Sequence, residues 1–192
     1  MAIIHFITHP EVMIDPAIAV PDWPLSPLGT RRMRLALERP WLVSVQAIFS
    51  SAERKARDAA DLMGERLRRV PVIVEGLGEN DRSATGYLPR VQFEAMADRF
   101  FAHPEASVRG WERAADAQRR IIDAVERALS VAPAEGGIAI VSHGCVGALL
   151  LCHLKGVPIN RREDQPGDGG GNVYSFDAVS RRLISGWRRI ED

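Results

Sequence analysis

Short apolar runs alternate with longer amphipathic segments along the chain, and this alternation restricts its fold more than any other feature. Short runs of this kind predict β-strands, and apolar residues at helical spacing predict the helices that connect parallel strands. The predicted strands are residues 3–8, 45–50, 72–75, 138–142, 173–177 and 183–187. The order predicts an α/β fold with a mainly parallel central sheet, and the last two strands are spaced to form a hairpin.

Helix signals lie between these strands. Ser26 followed by Pro27 predicts a helix that runs to about Glu38, because serine caps helix N-termini and proline suits the first helical position. Ser51 is predicted to cap a second helix, and residues 111–129 and 145–155 are predicted to form two more, the last of them buried. Residues 10–25, 76–89 and 160–171 show no regular pattern, and long irregular stretches are usually functional or disordered.

Length and charge exclude several classes of protein. The 192 residues predict a single domain, residues 1–192. Because 25 basic residues balance 25 acidic ones, the chain has no overall field that would attract nucleic acid or a membrane surface. The start of the chain has no secretion signal and the apolar runs are too short for a membrane span, so we expect a cytoplasmic protein. Cys145 and Cys152 are spaced as core residues rather than as metal ligands or a redox pair.

Polar residues follow the predicted strands at the points where they end. Thr8 and His9 end the first strand, Glu79 follows the third, and His143 ends the fourth. The carboxyl ends of parallel strands meet at one edge of the sheet, where α/β proteins bind their ligands. Lys55, in the first turns of its helix, can reach the same edge because helical side chains lean toward the N-terminus. Two imidazoles, an ammonium and helix N-termini suit an anion such as phosphate.

The same residues carry a resemblance to the histidine phosphatase superfamily, also called the phosphoglycerate mutase-like family. The family's motifs appear in order over nearly the whole chain, as Thr8-His9-Pro10-Glu11, Leu25-Ser26-Pro27-Leu28-Gly29, Ser50-Ser51-Ala52-Glu53-Arg54-Lys55-Ala56, Glu79, Val141-Ser142-His143-Gly144, Asn172 and Phe176-Asp177. The resemblance implies a three-layer α/β/α sandwich. It also implies a phosphatase that needs neither a metal ion nor an organic cofactor.

The resemblance further implies a role for each residue of the site. His9 would be the nucleophile that accepts the phosphoryl group, and His143 would contact the transferred oxygens. Glu79 would protonate the leaving alkoxide and then deprotonate the attacking water. Thr8 and Lys55 stand where the family has arginines that bind phosphate, and Pro10 replaces a glycine.

These departures leave open how phosphate is held. Lysine keeps the charge of an arginine but loses the planar fork that bonds two phosphate oxygens, and threonine has no charge. Arg82, on the irregular segment after the third strand, and Arg54, beside Lys55, are the candidates to supply the missing guanidinium.

The sequence therefore predicts a phosphomonoesterase that acts on a small phosphorylated molecule or a phosphoprotein. The alternative is a weakened or inactive member of the family that binds a phosphorylated ligand or a protein partner, because each departure weakens the phosphate site. A mutase is disfavoured, since the chain is short for the insertions that hold a second acidic group of the substrate. The substrate and the oligomeric state are not predicted.

Overall fold

A computed structural model describes residues 2–192. Six strands and six α-helices follow one another, with short 3₁₀ turns between some of them. In chain order these are β1 (Ile3–Thr8), α1 (Pro27–Ala36), α2 (Pro40–Val43), β2 (Val45–Ser50), α3 (Arg54–Leu67), β3 (Val72–Ile73), α4 (Arg90–Ala102), α5 (Ala114–Val131), β4 (Gly137–Ser142), α6 (Gly144–Lys155), β5 (Asn172–Asp177) and β6 (Leu183–Arg189).

The strands form one sheet in the order β3-β2-β4-β1-β5-β6. The pairs β3-β2, β2-β4 and β4-β1 are parallel, whereas β5 runs antiparallel to both β1 and β6. The prediction of a mainly parallel sheet that ends in a hairpin is confirmed. Because β1, β2 and β4 run in one direction, their carboxyl ends lie at one edge of the sheet.

Helices cover both faces of this sheet, which makes the fold a three-layer α/β/α sandwich. Ile138 and Ile140 of β4 pack into one core cluster with apolar residues of α4, α5 and α6. The alternate residues Ala139 and Val141 pack into a second cluster with α1 and α3. Side chains of a strand point alternately to its two faces, so a strand covered on both sides is apolar throughout.

Two helix predictions were wrong in detail. The second helix is not capped by Ser51, because Glu53 stands at the N-cap position in an extended conformation and α3 begins at Arg54. The Ser51 hydroxyl instead accepts a hydrogen bond from the backbone N–H of Glu53 at 3.2 Å and bonds Nε2 of His143 at 2.8 Å. The helix predicted for residues 111–129 begins at Ala114, and the buried Trp111 precedes it.

Helix α4 was not predicted. It lacks a side-chain N-cap and follows Pro89, so the usual start signal is missing. Its apolar residues Phe93, Met96 and Phe100 nevertheless recur at helical spacing and pack into the first core cluster. Packing of this stripe stabilises a helix that has no capping residue.

Two other sequence predictions, the cap of α1 and the burial of the cysteines, are confirmed. The Ser26 hydroxyl accepts a hydrogen bond from the backbone N–H of Gly29 at 2.9 Å, as a helix N-cap should. Cys145 and Cys152 are free and buried. No helix within residues 2–192 is both long enough and apolar enough to cross a membrane.

Candidate active site

The edge formed by the carboxyl ends of the parallel strands holds the predicted catalytic residues in one place. His9 follows β1, His143 follows β4, and Glu79 lies on the segment after β3. The Ser142 hydroxyl fixes that segment by donating a hydrogen bond to the backbone carbonyl of Leu77 at 2.7 Å. His9, Glu79 and Arg82 line a cleft of about 280 Å³, hereafter the active-site cleft.

His9 is held with one ring nitrogen free. Its Nδ1 lies 2.8 Å from the backbone carbonyl of Pro10. A carbonyl can only accept a hydrogen bond, so Nδ1 carries the proton and Nε2 keeps its lone pair in the neutral ring. Burial, and secondarily the Lys55 ammonium, lowers the pKa of His9 to about 4, so the ring is neutral at pH 7. The geometry and the pKa both suit a nucleophile.

A glycine-rich segment packs against the backbone of His9. Gly171 N–H donates to the His9 carbonyl at 3.0 Å, and Gly170 adopts a positive φ of 61°. A Cβ atom on Gly170 would lie only 2.2 Å from that carbonyl oxygen, so a larger residue does not fit. The segment therefore lies beside His9, and it contributes to the wall of the active-site cleft.

His143 faces His9 with its ring edge-on, and the two ring centroids lie 5.1 Å apart. The ring is completely buried, with Nε2 at 2.8 Å from the Ser51 hydroxyl and 3.4 Å from the Glu53 carboxylate. Nδ1 has no hydrogen-bond partner among residues 2–192. Burial holds the pKa of His143 well below its usual value, so this ring is also neutral at pH 7.

The Glu79 carboxyl group lies at the N-terminus of α6. It accepts hydrogen bonds from the backbone N–H groups of Cys145 at 3.2 Å and Val146 at 3.1 Å, and from its neighbour Asn80 at 3.1 Å. Burial raises the pKa of Glu79 above its usual value, and the nearby Glu53 carboxylate adds to the shift. A raised pKa favours the protonated form that a general acid requires.

Arg120 on α5 holds the segment that carries Glu79. Its guanidinium donates hydrogen bonds to the backbone carbonyls of Gly76, Gly78 and Glu79 at 2.8, 2.9 and 3.0 Å. Glu112 fixes the same guanidinium from the other side with contacts of 2.9 and 2.8 Å. The sequence analysis missed Arg120, because an arginine on an amphipathic helix has no local signal that separates it from a solvated one.

Arg82 is the guanidinium that remains available at the cleft. It lies over the rings of Phe93 and Trp111, with centroid distances of 5.0 and 5.7 Å. Among residues 2–192 it forms no ion pair and no side-chain hydrogen bond. Arg161, which also lines the cleft, is paired with Glu94 and Asp98. Arg54, the other candidate of the sequence analysis, is exposed and does not line the cleft.

Thr8 lies at the edge of the sheet, but its hydroxyl is already bonded. It donates to Oε1 of Gln165 at 2.7 Å and accepts from the backbone N–H of Asn172 at 2.9 Å. Asn172 Nδ2 also donates to Oε1 of Gln165 at 3.0 Å, which fixes the orientation of the Gln165 amide. Gln165 therefore lines the cleft with an Nε2 donor that has no partner among residues 2–192. The sequence analysis did not identify Gln165, because nothing local links it to Thr8.

Lys55 is buried at the same edge, and its ammonium also has partners. It forms an ion pair with Glu53 and donates to the backbone carbonyl of Val20 at 2.8 Å. Glu53 in turn accepts from the backbone N–H of Glu79 at 2.8 Å. Burial alone would raise the pKa of Glu53, but the Lys55 ammonium and the hydrogen bond from the Glu79 N–H lower it below its usual value. Glu53 is a further site residue that the sequence analysis missed.

The buried pair of Lys55 and Glu53 leads to a prediction about stability. Lys55→Met should lower the free energy of unfolding by about 3 kcal/mol, because it leaves the Glu53 carboxylate buried without its counter-ion. The double variant Lys55→Met/Glu53→Leu should recover part of that loss. Urea unfolding of Lys55→Met, Glu53→Leu and the double variant measures the coupling between the two residues. Strictly additive effects would show that the ion pair contributes nothing.

No group of three or more histidine, cysteine, aspartate or glutamate residues within residues 2–192 is arranged to hold a metal ion. The site is instead made of two neutral imidazoles, a carboxyl group with a raised pKa, an unpaired guanidinium and an amide donor. Such a set can bind an anion and transfer a proton next to a free imidazole nitrogen.

Solved structures with the same fold cover nearly the whole chain. The protein YhfR of Bacillus stearothermophilus has a TM-score of 0.79 at 22% identity, over 96% of this chain and 95% of that one. A mycobacterial glucosyl-3-phosphoglycerate phosphatase bound to inorganic phosphate has a TM-score of 0.75 at 21% identity, over 99% of both chains. A phosphoserine phosphatase of Entamoeba histolytica, in complex with 3-phosphoglyceric acid, has a TM-score of 0.75 at 15% identity, over 100% of both chains. At these identities the likeness establishes the fold.

Sequence comparison identifies the family. No curated protein matches the sequence. The family model of the histidine phosphatase superfamily (branch 1) matches residues 14–171, a segment that contains Glu79 and His143 and begins after His9. The match spans most of the chain and agrees with the order of the motifs, so the chain belongs to branch 1 of the histidine phosphatase superfamily.

Proposed function

We propose that this protein is a phosphomonoesterase that transfers a phosphoryl group to water through a phosphohistidine at His9, without a metal ion. The observation that carries the proposal is the geometry of His9. Its Nδ1 proton is held by the Pro10 carbonyl, its Nε2 is free, and the cleft beside it also contains Glu79 and an unpaired Arg82. Membership of the family supports the same reaction class.

The reaction has two displacements. In the first, Nε2 of His9 attacks phosphorus, the bond from phosphorus to the ester oxygen breaks, and Glu79 gives its proton to the departing alkoxide. In the second, the Glu79 carboxylate takes a proton from water, the resulting oxygen attacks phosphorus, and the bond to His9 breaks to release phosphate. Glu79 ends protonated and His9 neutral, so both groups return to their starting state.

Three groups are proposed to bind the phosphate oxygens. Arg82 supplies the guanidinium, and the Gln165 amide, held by Thr8 and Asn172, supplies a neutral donor. In the tautomer proposed for His143, Nε2 accepts the proton of the Ser51 hydroxyl, and the unpartnered Nδ1 carries the ring proton that it donates to phosphate. Lys55 and Thr8 remain predicted phosphate contacts, and each would have to exchange a present partner to make one.

The proposal is tested by measuring phosphate release from a broad panel of phosphomonoesters and phosphopeptides in the presence of a chelator. We expect turnover, together with an acid-labile, base-stable phosphoenzyme that mass spectrometry of a quenched reaction places on His9. Turnover without such an intermediate would rule out the phosphohistidine route.

A second candidate is a protein that binds a phosphorylated ligand and does not hydrolyse it. It is favoured by the bonded state of Lys55 and Thr8, which leaves fewer free donors for a transition state. Phosphate-dependent thermal stabilisation with no turnover of any ester would support this candidate against the phosphatase.

The pH dependence of turnover follows from the two perturbed groups. We expect kcat/KM to rise as the pH increases through about 4, because protonated His9 cannot attack. It should fall again above the raised pKa of Glu79, because the ionised carboxylate cannot protonate the leaving group.

Glu79→Gln should abolish this fall in kcat/KM at high pH and slow the hydrolysis of alkyl esters by roughly 10²- to 10⁴-fold. Aryl esters, whose leaving groups need less protonation, should be slowed much less. A fall at high pH that survives in Glu79→Gln would assign the acid to another residue.

A further inference from the structure

The position of Glu79 in the active-site cleft is not set by regular secondary structure. Residues 78–89, which contain Glu79, form neither a helix nor a strand. The backbone of Glu79 is instead held by two charged side chains, because its N–H donates to Glu53 at 2.8 Å and its carbonyl accepts from Arg120 at 3.0 Å. A general acid must lie within hydrogen-bond reach of the oxygen that it protonates. The side chains that hold this backbone therefore also set the reach of the acid.

Arg120 uses every donor of its guanidinium at this segment. A guanidinium has five N–H donors, and three of them bond the backbone carbonyls of Gly76, Gly78 and Glu79. The other two bond both oxygens of the Glu112 carboxylate. An arginine that only solvates the surface of a helix leaves most of its donors to water. The complete use of these donors indicates that Arg120 holds the backbone before and at Glu79.

Glu112 extends this contact beyond Glu79. Its Oε2 accepts the backbone N–H of Asp81 at 3.1 Å, and its own N–H donates to the Asp81 carbonyl at 2.9 Å. The side chains of Arg120 and Glu112 are only 28% and 18% exposed, so their ion pair is screened less than a pair at the surface. The two residues form what we call the Arg120–Glu112 clamp, which holds the chain on both sides of Glu79.

Gly76 lets the segment approach α5 closely enough for this contact. A Cβ atom at Gly76 would lie 2.9 Å from Cβ of Ala124 and 2.9 Å from Nη2 of Arg127, both on α5. Any side chain at this position would collide with Ala124, so the close approach requires glycine. The segment thus fits against the helix that carries Arg120, and the Glu79 side chain extends from it to the N-terminus of α6.

Arg120 itself lies outside the active-site cleft. It is not one of the residues that line the cleft, so it has no contact with a phosphate group bound there. Arg82, on the same segment as Glu79, has a separate support in the rings of Phe93 and Trp111. The proton donor and the proposed phosphate contact are therefore held by different parts of the fold.

We propose that Arg120 is the positioning residue of the general acid. With Glu112 it holds the Glu79 backbone, so that the carboxyl group stays within reach of the leaving oxygen in the first displacement and of the attacking water in the second. The inference rests on the proposed function, in which Glu79 first gives and then takes a proton. Arg120 has no contact with the substrate in either step.

Arg120→Lys tests the proposal by kinetics. Lysine keeps a positive charge beside Glu112, but one ammonium cannot bond three carbonyls and a carboxylate at once. We expect kcat/KM for an alkyl ester to fall by about ten- to a hundredfold, because a displacement of about 1 Å is enough to misplace the acid. With an aryl ester, whose leaving group needs little protonation, kcat/KM should change by less than about twofold. Equal losses with the two esters would overturn the proposal.

Two controls accompany this variant. Arg119→Met removes a neighbouring arginine of α5 that is exposed and pairs with Asp116, and it should change kcat/KM for both esters by less than about twofold. Inorganic phosphate should inhibit Arg120→Lys and the wild-type protein equally, since Arg82 keeps its place over the two rings. Weaker inhibition of Arg120→Lys would show that Arg120 acts on phosphate binding, which would contradict the positioning role.

A double variant shows whether Arg120 acts through Glu79. Glu79→Gln already lacks the proton donor, so adding Arg120→Lys to it should lower kcat/KM for the alkyl ester by less than a further factor of about two. A role in folding or in phosphate binding would instead multiply the two losses. Independent losses would therefore reject the proposal.

Hydrogen exchange tests the same contact without turnover. The backbone N–H groups of Glu79 and Asp81 are bonded to Glu53 and Glu112, and we expect both to exchange at least about tenfold faster in Arg120→Lys. The backbone N–H groups of β4 should exchange at the wild-type rate. If Arg120→Lys does not fold, Glu112→Gln, which keeps Arg120 and removes its counter-ion, should show the same change.

These measurements distinguish failure of the inference from failure of the proposed function. A wild-type protein that hydrolyses no ester would refute the proposed function, whatever the exchange rates are. Unchanged exchange at Glu79 and Asp81 in a folded Arg120→Lys variant would refute the positioning role by itself, even if the wild-type protein is an active phosphatase.

Discussion

Replacing His9 with alanine is expected to lower kcat/KM for every phosphomonoester by roughly 10⁴-fold or more, because the route through a covalent intermediate is lost. The wild-type ring is ready to attack without prior deprotonation, since its pKa is lowered to about 4 and the Pro10 carbonyl holds the proton on Nδ1. His143 cannot substitute for it in the proposed tautomer, because Nε2 bonds Ser51 and Nδ1 carries the ring proton. Phosphate release and phosphoenzyme trapping measure the loss.

His153→Ala is the matched control for this variant. His153 is an exposed histidine in the last turn of α6, so its removal should leave kcat/KM within twofold of wild type. Far-ultraviolet circular dichroism and thermal unfolding establish that both variants are folded. If His9→Ala kept a tenth or more of the wild-type rate, the phosphohistidine mechanism would be wrong.

Arg82→Met should produce the second largest effect, a fall in kcat/KM of about 10²- to 10³-fold. The guanidinium is the cation at the active-site cleft that has no partner among residues 2–192, and its position over Phe93 and Trp111 holds it in place without using its hydrogen-bond donors. A charge-assisted hydrogen bond to a phosphate oxygen is worth about 1.5–3 kcal/mol, and an arginine can form two with a phosphate group.

Two further variants separate charge from geometry. Arg82→Lys should recover only part of the activity, because an ammonium keeps the charge but lacks the planar fork. Arg54→Met removes an exposed guanidinium one residue from Lys55 and should change kcat/KM by less than twofold. Steady-state kinetics with one alkyl and one aryl ester measures all three variants. Equal losses in Arg54→Met and Arg82→Met would indicate a general effect of charge rather than contact with phosphate.

Much of the fold was predictable because its signals are local. The alternation of apolar strands with amphipathic helices predicted all six strands and the mainly parallel sheet, and Ser26 with Pro27 predicted the start of α1. The cap at Ser51 was predicted wrongly and α4 was missed, for different reasons. The Ser51 hydroxyl could cap a helix, but it bonds His143, which is distant along the chain. Helix α4 is stabilised by packing rather than by a cap.

The placement of His9, Glu79 and His143 at one edge was also predictable, because parallel strands bring their carboxyl ends together whatever else the chain does. Arg82 was identified from its position in the sequence, but the observation that its guanidinium is unpaired required the structure. Gln165, Glu53 and Arg120 were not predicted. Each of these residues either contacts a partner that is distant along the chain or resembles several other residues of its type, with no local signal that singles it out.

The sequence by itself therefore determined the fold, the family and the edge of the sheet at which the candidate catalytic groups lie. The spacing of apolar residues in strands and helices, and the order of the motifs, can be read from short stretches of sequence. Only the tertiary structure decided which polar groups at that edge are already bonded and which are free. Thr8 meets Gln165 across 157 positions of sequence, and Lys55 meets the Val20 carbonyl across 35. Hydrogen-bond partners at such separations depend on how loops pack onto the sheet, so the state of Lys55, Thr8, Arg82 and Arg120 became visible only in the folded molecule.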